Sequence, residues 1–290
     1  MASLISVGTN VVLLGALYAL VATGFTLIFG VGGVLNLAHG SSITIGAYTA
    51  FYVAGTDLFG EATVLAAPLV ALVVGGAFSL LLWKGMIRYV TDNPVSVLIL
   101  TLVVTLIVEQ VFLALESGQP VVVPNLLDGT LEIGGLGISS NRIVIFAFSW
   151  VVIGALFYFV NRTKTGKSIL ATSMSDKGAS LVGIDSERSY TYTWVIAGAL
   201  AAVAGVFLAS FQNANPLMGR NPLLLSFAIV VLGGLGSIRG SVIGAYIISL
   251  LDQLTISYVS SRLTGVSALL VLVVVLLIKP EGLYGRELIE

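Results

Sequence analysis

Long stretches without any charged residue dominate this chain. No Asp, Glu, Lys or Arg occurs before Asp57, and later uncharged stretches run from 62–83, 93–108, 143–161, 189–219, 221–238, 240–251 and 263–278. A helix that crosses a bilayer needs about 20 mostly apolar residues. We therefore predict about eight or nine transmembrane helices. They lie near 10–30, 41–55, 63–83, 95–115, 143–160, 191–211, 223–237, 241–258 and 264–278, and several are short enough to be tilted or only partly spanning.

The apolar segments favour helices over the strands of a membrane barrel. Barrel strands alternate apolar and polar residues over about ten positions, whereas residues 266–278 read VSALLVLVVVLLI without alternation. The many β-branched residues do not argue against helix in lipid, where each backbone group must bond within its own segment. The sequence therefore predicts an all-α polytopic membrane protein, with residues 1–290 as a single transmembrane domain.

Composition supports this class and excludes others. Hydrophobic residues make up 57% of the chain and charged residues 9%, against roughly 25% charged in soluble domains. The net charge of −1 supplies no basic field, so we expect no nucleic acid partner. The chain has no cysteine and a single histidine, so we expect no metal and no cofactor. The first residues, MASLISVGTN, lack a positive charge, so we also expect no cleaved signal peptide.

The distribution of Lys and Arg predicts the orientation of the chain. If the N-terminus is outside and the spans alternate, ten cations lie in cytoplasmic segments: Lys84, Arg88, Arg162, Lys164, Lys167, Lys177, Arg188, Arg239, Lys279 and Arg286. Three lie outside, namely Arg142, Arg220 and Arg262. Cytoplasmic loops carry the excess of positive charge. We therefore expect a cytoplasmic C-terminus, and an N-terminal side that depends on an odd number of spans.

The longest predicted cytoplasmic segment is 161–190. Within it, residues 167–182 are predicted to form a helix with an intermittent apolar face, which Gly166 precedes and Gly183 caps. Such a helix fits a groove on a soluble partner or rests on lipid headgroups, and the residues leave both alternatives open. A nucleotide-binding loop is excluded, because Asn161 stands where its first glycine belongs.

Two other segments combine glycine with polar residues. Segment 231–246 contains Gly233, Gly234, Gly236, Gly240 and Gly244. The four-residue spacing lets helices pack closely, and the same glycines permit a hairpin at 237–239 or a broken helix that lines a pathway.

Segment 29–48 places Asn36 and His39 among apolar residues. They mark a pathway, or else a loop at the cytoplasmic interface in which backbone carbonyls satisfy His39.

Two acids fall inside predicted helices. Glu109 and Asp252 could bind an ammonium group of a substrate, pair with an arginine, or reach the outer interface. No carboxylate pair, catalytic triad or metal cluster accompanies them. We therefore expect a transport protein without a catalytic site of its own.

The ordered motifs resemble the permease subunits of branched-chain amino-acid ABC transporters. They are LNLAHGSSITIGAY, TGKSILATSMSDKGASLVGID, YTWVIAGALAAVAGVFLA, AIVVLGGLGSIRGSVIGA and LIKPEGLYG. The resemblance covers roughly residues 10–286. The wider family includes permeases for sugars, urea and short amides. The chain is most similar to the branched-chain group. Such systems commonly combine two permeases, and the length of this chain is similar to that of the shorter one.

This resemblance implies a membrane location in a prokaryote, a second homologous permease subunit, two cytoplasmic ATP-binding subunits and an extracytoplasmic substrate-binding protein. It also implies that the ATP-binding subunits contact segment 161–190, through Gly166, Lys167, Leu170, Ala171, Met174, Asp176, Ala179 and Gly183. Two positions depart from the family pattern. Ser168 and Ile169 replace an arginine–alanine pair, and Arg239 replaces a proline, which leaves the ATPase contacts and the hairpin geometry open.

Two other classes compete with this interpretation. An ion-coupled secondary transporter would need buried acids and an inverted repeat, and only Glu109 and Asp252 could supply the acids. An intramembrane enzyme would need a catalytic group at depth, where His39 has no evident partner. The resemblance favours the ATP-driven importer.

Overall fold

The computed structural model describes residues 4–56, 63–116, 118–133, 136–279 and 281–284. Within these ranges the chain forms eleven α-helices and a two-stranded hairpin. They are α1 (Leu4–Gly32), α2 (His39–Ala54), α3 (Thr63–Gly85), α4 (Pro94–Leu115), β1 (Thr130–Ile133), β2 (Leu136–Ser139), α5 (Ser140–Arg162), α6 (Lys164–Met174), α7 (Asp176–Leu181), α8 (Ser186–Gln212), α9 (Arg220–Gly233), α10 (Ile238–Tyr258) and α11 (Val266–Ile278). All helices except α6 and α7 coincide with predicted apolar segments.

The described helices confirm the predicted helical membrane protein. Six of them, α1, α3, α4, α5, α8 and α10, are long and apolar enough to cross a bilayer. Helices α2, α9 and α11 have 16, 14 and 13 residues. At 1.5 Å per residue they are about 20–24 Å long, shorter than the ~30 Å hydrocarbon layer. These three helices therefore cross only part of a bilayer unless it thins around them.

The hairpin was not predicted from the sequence. Strands β1 and β2 are antiparallel, with Thr130 opposite Ser139. Strand β2 leads directly into α5, whose first residues contact α1 and α8. Arg142 donates to Asn10 Oδ1 in the first half of α1 (2.9 Å), and Asn141 donates to the Ser210 carbonyl near the end of α8 (3.1 Å). We call this end of the helical bundle the hairpin end.

Helices α1 and α8 form the centre of the bundle. Helix α8 packs against α3, α2 and α1, and α1 packs also against α10, α5 and α9. The small residues of α8, AGALAAVAG at 197–205, let neighbouring backbones approach closely. The most apolar windows of α8 and α1 are 83% and 72% buried, against 28% for α4 and α5. Helices α4 and α5 therefore leave most of their surface to lipid or to another subunit.

Helix α2 begins inside the protein. After α1, residues 33–38 turn back along it, and Gly33 makes the turn with a φ of +60° that glycine adopts without strain. His39 Nε2 then lies 3.1 Å from the carbonyl oxygen of Val21. Val21 lies about 16 Å along the helix axis before the end of α1 at Gly32. The first turn of α2 is therefore well inside the bundle.

Helix α9 also begins inside the protein. Residues 213–219 run inward from the hairpin end, where Ala214 exchanges two backbone hydrogen bonds with Val121 (2.8 and 3.0 Å). A Cβ atom on Gly40 would lie 2.9 Å from the carbonyl oxygen of Gly219, so the first residues of α2 and α9 touch. Non-helical backbone at membrane depth is tolerated only where protein buries it, and Ala38 and Met218 are buried accordingly.

Candidate functional site

The predicted helix over 167–182 is two helices. Helix α6 starts earlier than predicted, because the Thr163 hydroxyl accepts from the backbone N–H of Gly166 (3.0 Å) and caps it. Ser175 interrupts the helix with an extended backbone (φ −164°, ψ 112°), and its hydroxyl caps α7 by accepting from Gly178 (3.0 Å). The apolar periodicity of 167–182 does not reveal this break, since serine is also tolerated within helices.

Gly183 ends α7 as predicted for a C-terminal glycine. Its φ of +82° lies in the left-handed region. The N–H of Ile184 donates to the Ala179 carbonyl, and that of Gly183 to the Ser180 carbonyl, both at 3.0 Å. This pair of bonds is a Schellman motif, which satisfies carbonyls at a helix end.

The candidate coupling residues divide between a buried side and an exposed side. Gly166 and Ala179 are buried, and Ala171 is half-buried; Lys167, Leu170, Met174, Asp176 and Gly183 are exposed. Leu170, Met174, Leu181 and Val182 are exposed by 38%, 64%, 81% and 75%. We call these four side chains the coupling surface. Exposed apolar side chains such as these are typical of a contact with another protein or with a membrane.

The coupling surface is tied to the central helices. Helix α6 packs against α5, α8 and α1. Gly166 fits directly against the Phe159 carbonyl and Val160 at the end of α5, where a Cβ atom would clash with backbone. Helix α8 is held in turn by α3. Trp83 of α3 stacks on Tyr190 near the start of α8 and donates a hydrogen bond to Thr191 Oγ1 (3.1 Å). A displacement of α6 would therefore be transmitted to α1, α5 and α8 through direct packing.

The glycine-rich segment forms the tight turn between α9 and α10. Gly234 and Gly236 have φ values of +103° and +80°, and the Ser237 hydroxyl caps α10 by accepting from the backbone N–H of Gly240 (3.1 Å). The break thus falls at 234–237, slightly before the predicted 237–239. The Cα of Gly240 faces the carbonyl of Gly233 so closely that a Cβ would overlap it. A Cβ on Gly244 would lie 2.8 Å from the Ile229 carbonyl, so these glycines pack α9 against α10.

Asn36 and His39 lie together at the buried start of α2. The ring of His39 packs edge-on against Phe25 at 5.5 Å, and its Nε2 meets the Val21 carbonyl. Asn36 Oδ1, His39 Nδ1 and Ser41 Oγ are buried, and no partner within the described residues reaches them. The hydrogen bond of His39 to a backbone carbonyl agrees with the interpretation of this segment as an interfacial loop. The position of His39 deep in the bundle does not agree with that interpretation. Buried polar atoms without a partner are uncommon, and each calls for an explanation such as a bound water or a functional role.

Glu109 pairs with Arg220. The guanidinium donates from Nε (2.7 Å) and Nη2 (2.6 Å) to the two carboxylate oxygens, which joins α4 to the first residue of α9. The side chain of Glu109 is 6% exposed and that of Arg220 56%. Of the three arginines considered from the sequence, the structure thus selects Arg220.

Asp252 is fully buried within the protein. Its Oδ1 accepts from the backbone N–H of Gly265 (2.8 Å) and from the Ser267 hydroxyl (3.4 Å). Its Oδ2 accepts from the Tyr18 hydroxyl (3.4 Å). The carboxylate therefore caps α11, whose preceding residue, Gly265, has no side chain to do so.

Tyr18 is a partner that sequence reasoning missed. It lies 234 positions from Asp252, and in the sequence it is one aromatic residue within an apolar run. No local pattern connects the two. Among the described residues, no group of three or more His, Asp or Glu is placed to hold a metal ion.

Comparisons with known proteins give a consistent result. A family model described as "Branched-chain amino acid transport system / permease component" matches residues 8–278. The high-affinity branched-chain amino acid transport system permease protein LivH of Escherichia coli K12 is 31% identical, over 97% of this chain and 95% of the relative. BraD of Pseudomonas aeruginosa, described in the same words, is 30% identical over 97% and 95%.

A more distant relative, the ribose import permease protein RbsC of Escherichia coli K12, is 27% identical over 81% of this chain and 73% of the relative. No solved structure matches the chain.

Proposed function

This chain belongs to the family of permease components of branched-chain amino acid transport systems, and from this premise we propose that it forms the membrane path of an ATP-driven importer of branched-chain amino acids. The sequence-based family prediction is confirmed. The substrate proposal is supported by LivH and BraD, whose names specify branched-chain amino acids and which match over nearly the full chain. The ribose permease matches less of the chain.

We propose that ATP-binding subunits dock on the coupling surface. The support is the combination of four exposed apolar side chains on α6 and α7 with direct packing of α6 against α1, α5 and α8. A docked surface depends on a few central apolar anchors, while its rim contributes little. Leu170, Ala171 and Met174 are neighbours on α6 and are the proposed anchors, flanked by Lys167 and Asp176.

Replacing Ala171 by Asp tests this contact. The charge would enter an apolar groove, and desolvating an unpaired charge costs several kcal/mol. Since every ~1.4 kcal/mol is tenfold in affinity, we expect loss of the co-purifying ATP-binding subunit and loss of uptake. Ala171→Ser, small and neutral at the same position, is the matched control and should retain both.

Two outcomes would contradict the proposal at different levels. Full ATP-dependent uptake by Ala171→Asp, with the ATP-binding subunits still bound, would mean that the contact lies elsewhere. Uptake that persists without any ATP-binding subunit would favour an ion-coupled transporter and refute the importer assignment itself.

The proposed assembly has further parts. A second permease subunit would cover part of the exposed surface of α4 and α5, and an extracytoplasmic binding protein would deliver substrate at the hairpin end. The C-terminus and segment 161–190 would lie in the cytoplasm, because Lys and Arg concentrate there. Arg286, one of those cations, lies outside the described residues. Co-purification of tagged subunits, followed by mass measurement of the intact complex, tests this composition.

A further inference from the structure

A cavity of about 50 Å³ opens between α1, α8 and α9. One water molecule needs about 10–15 Å³ measured in this way, so the cavity has room for a group several times larger. Four of its lining residues carry polar side chains that can donate hydrogen bonds, Tyr18, Gln212, Asn221 and Ser226. The Ser226 hydroxyl donates to the Pro222 carbonyl (2.7 Å), which leaves the other three to meet a ligand. The sequence offered no reason to select any of the three.

The polar and apolar lining residues are separated along the helix axes. Both α1 and α9 run away from the hairpin end, and α8 runs toward it. Tyr18 therefore lies about 4.5 Å nearer the hairpin end than Val21, and Gln212 about 6 Å nearer than Leu208. On α9, Asn221 likewise lies about 6 Å nearer that end than Leu225, although Ser226, next to Leu225, also lines the cavity.

The apolar lining of α9 lies deeper. Leu225 and Ile229 follow Asn221 by about 6 and 12 Å along the axis. Both are buried, as are Val21 and Leu208, whereas Gln212 and Asn221 are exposed. The cavity thus has a polar mouth, formed by the exposed residues toward the hairpin end, and a floor in the bundle that is apolar except for Ser226, whose hydroxyl is already bonded.

The mouth is next to a buried carboxylate and an uncapped helix start. The Tyr18 hydroxyl contacts Asp252 Oδ2, and a Cβ on Gly265, whose N–H binds the same carboxylate, would lie 3.2 Å from Asn221 Oδ1. A carboxylate in a low-dielectric site favours a nearby ammonium group. Helix α9 has no side-chain cap. The N–H groups of Arg220 and Leu223 bond to the Leu217 and Gly219 carbonyls, and Pro222 has no N–H. The backbone N–H of Asn221 is thus left to donate to a carboxylate, beside the side-chain amides of Gln212 and Asn221.

We propose that this cavity is a transient binding site for the transported amino acid, with the α-ammonium and α-carboxylate at the mouth and the branched aliphatic side chain on the floor of Val21, Leu208, Leu225 and Ile229. The inference rests on the proposed function and adds a place and an orientation for the substrate. A sugar fits poorly, because its hydroxyls would meet this apolar floor without enough hydrogen-bond partners.

The absence of native cysteine allows a direct test. In the assembled complex, a maleimide should label Gln212→Cys, and millimolar leucine or isoleucine should slow the labelling at least several-fold, while ribose should not. Phe211→Cys, an exposed neighbour outside the cavity lining, is the control whose labelling rate should not change.

A second variant tests the floor without depending on protein yield. Ile229→Ala enlarges the floor, so the ratio of phenylalanine uptake to leucine uptake should rise about tenfold, the usual effect of resizing an apolar pocket. Leu224→Ala, on the exposed face of α9, should leave the ratio unchanged.

The outcomes separate this inference from the proposed function. If the wild-type complex takes up leucine but leucine protects neither cysteine, or both equally, the cavity is not the site. The same conclusion follows if Ile229→Ala and Leu224→Ala give the same ratio. If the wild-type complex takes up no branched-chain amino acid at all, the proposed function fails first.

Discussion

The ion pair between Glu109 and Arg220 predicts an asymmetric response to mutation. The carboxylate is 6% exposed, whereas the guanidinium is 56% exposed. Arg220→Met leaves a buried carboxylate without its cation and without two short hydrogen bonds. Breaking a buried pair costs about 3–5 kcal/mol, and we expect about 2–3 kcal/mol here because the arginine is more than half exposed.

The reverse substitution should cost less. In Glu109→Gln the guanidinium remains more than half exposed, and the amide oxygen still accepts one of its hydrogen bonds. We expect a loss of about 1 kcal/mol, typical of one hydrogen bond. The double variant should be more stable than Arg220→Met alone, because the uncompensated buried charge is then gone.

Thermal unfolding of the purified complex measures this difference. In domains of 150–250 residues, 1 kcal/mol shifts Tm by about 2–4 °C, so Arg220→Met should melt several degrees below Glu109→Gln. Arg88→Met is the matched control, because its pair with Glu187 is 3.4 Å long and exposed on both sides. Its Tm should stay at the wild-type value. Equal losses for the two single variants, or additive losses in the double variant, would refute the reasoning.

Substitutions at three further positions test the helix packing, the buried carboxylate and the orientation of the chain. Gly240→Leu should lower the yield of assembled permease, because its side chain would overlap the Gly233 carbonyl; size-exclusion chromatography that shows normal assembly would contradict this. Asp252→Ala should lower Tm more than Asp252→Asn, which keeps an acceptor for the N–H of Gly265 before α11. If Asp252 also attracts the α-ammonium group of the substrate, Asp252→Asn should reduce the transport rate per permease molecule. Ser173→Cys should resist an impermeant thiol reagent in intact cells, and ready labelling would reverse the orientation; Leu288, the matching tail position, lies outside the described residues.

Much of the fold could be predicted from the sequence. Spans of apolar residues with charged boundaries determine where helices form, because lipid leaves the backbone no other partner than its own segment. The predicted segments therefore coincide with helices even where they are short, as in α9 and α11. The ordered motifs likewise indicated the family, which the comparison over residues 8–278 confirmed.

The candidate site was predictable only in its local parts. Gly183 ends α7 and the glycines of 233–244 form a close helix contact, since both depend on residues near in sequence. The break at Ser175 was missed, because an extended serine and a helical serine leave the same apolar periodicity around them.

Only the tertiary structure decided which distant groups meet. Apolar periodicity gives the length of a helix but not its depth or rotation, so the sequence could not tell that residues 33–38 and 213–219 fold back into the bundle. For the same reason it could not pair Glu109 with Arg220, or Asp252 with Tyr18. Depth and rotation depend on how small residues of α8 let its neighbours approach. That packing is a property of all the helices together, and it brings the cavity between α1, α8 and α9 into existence.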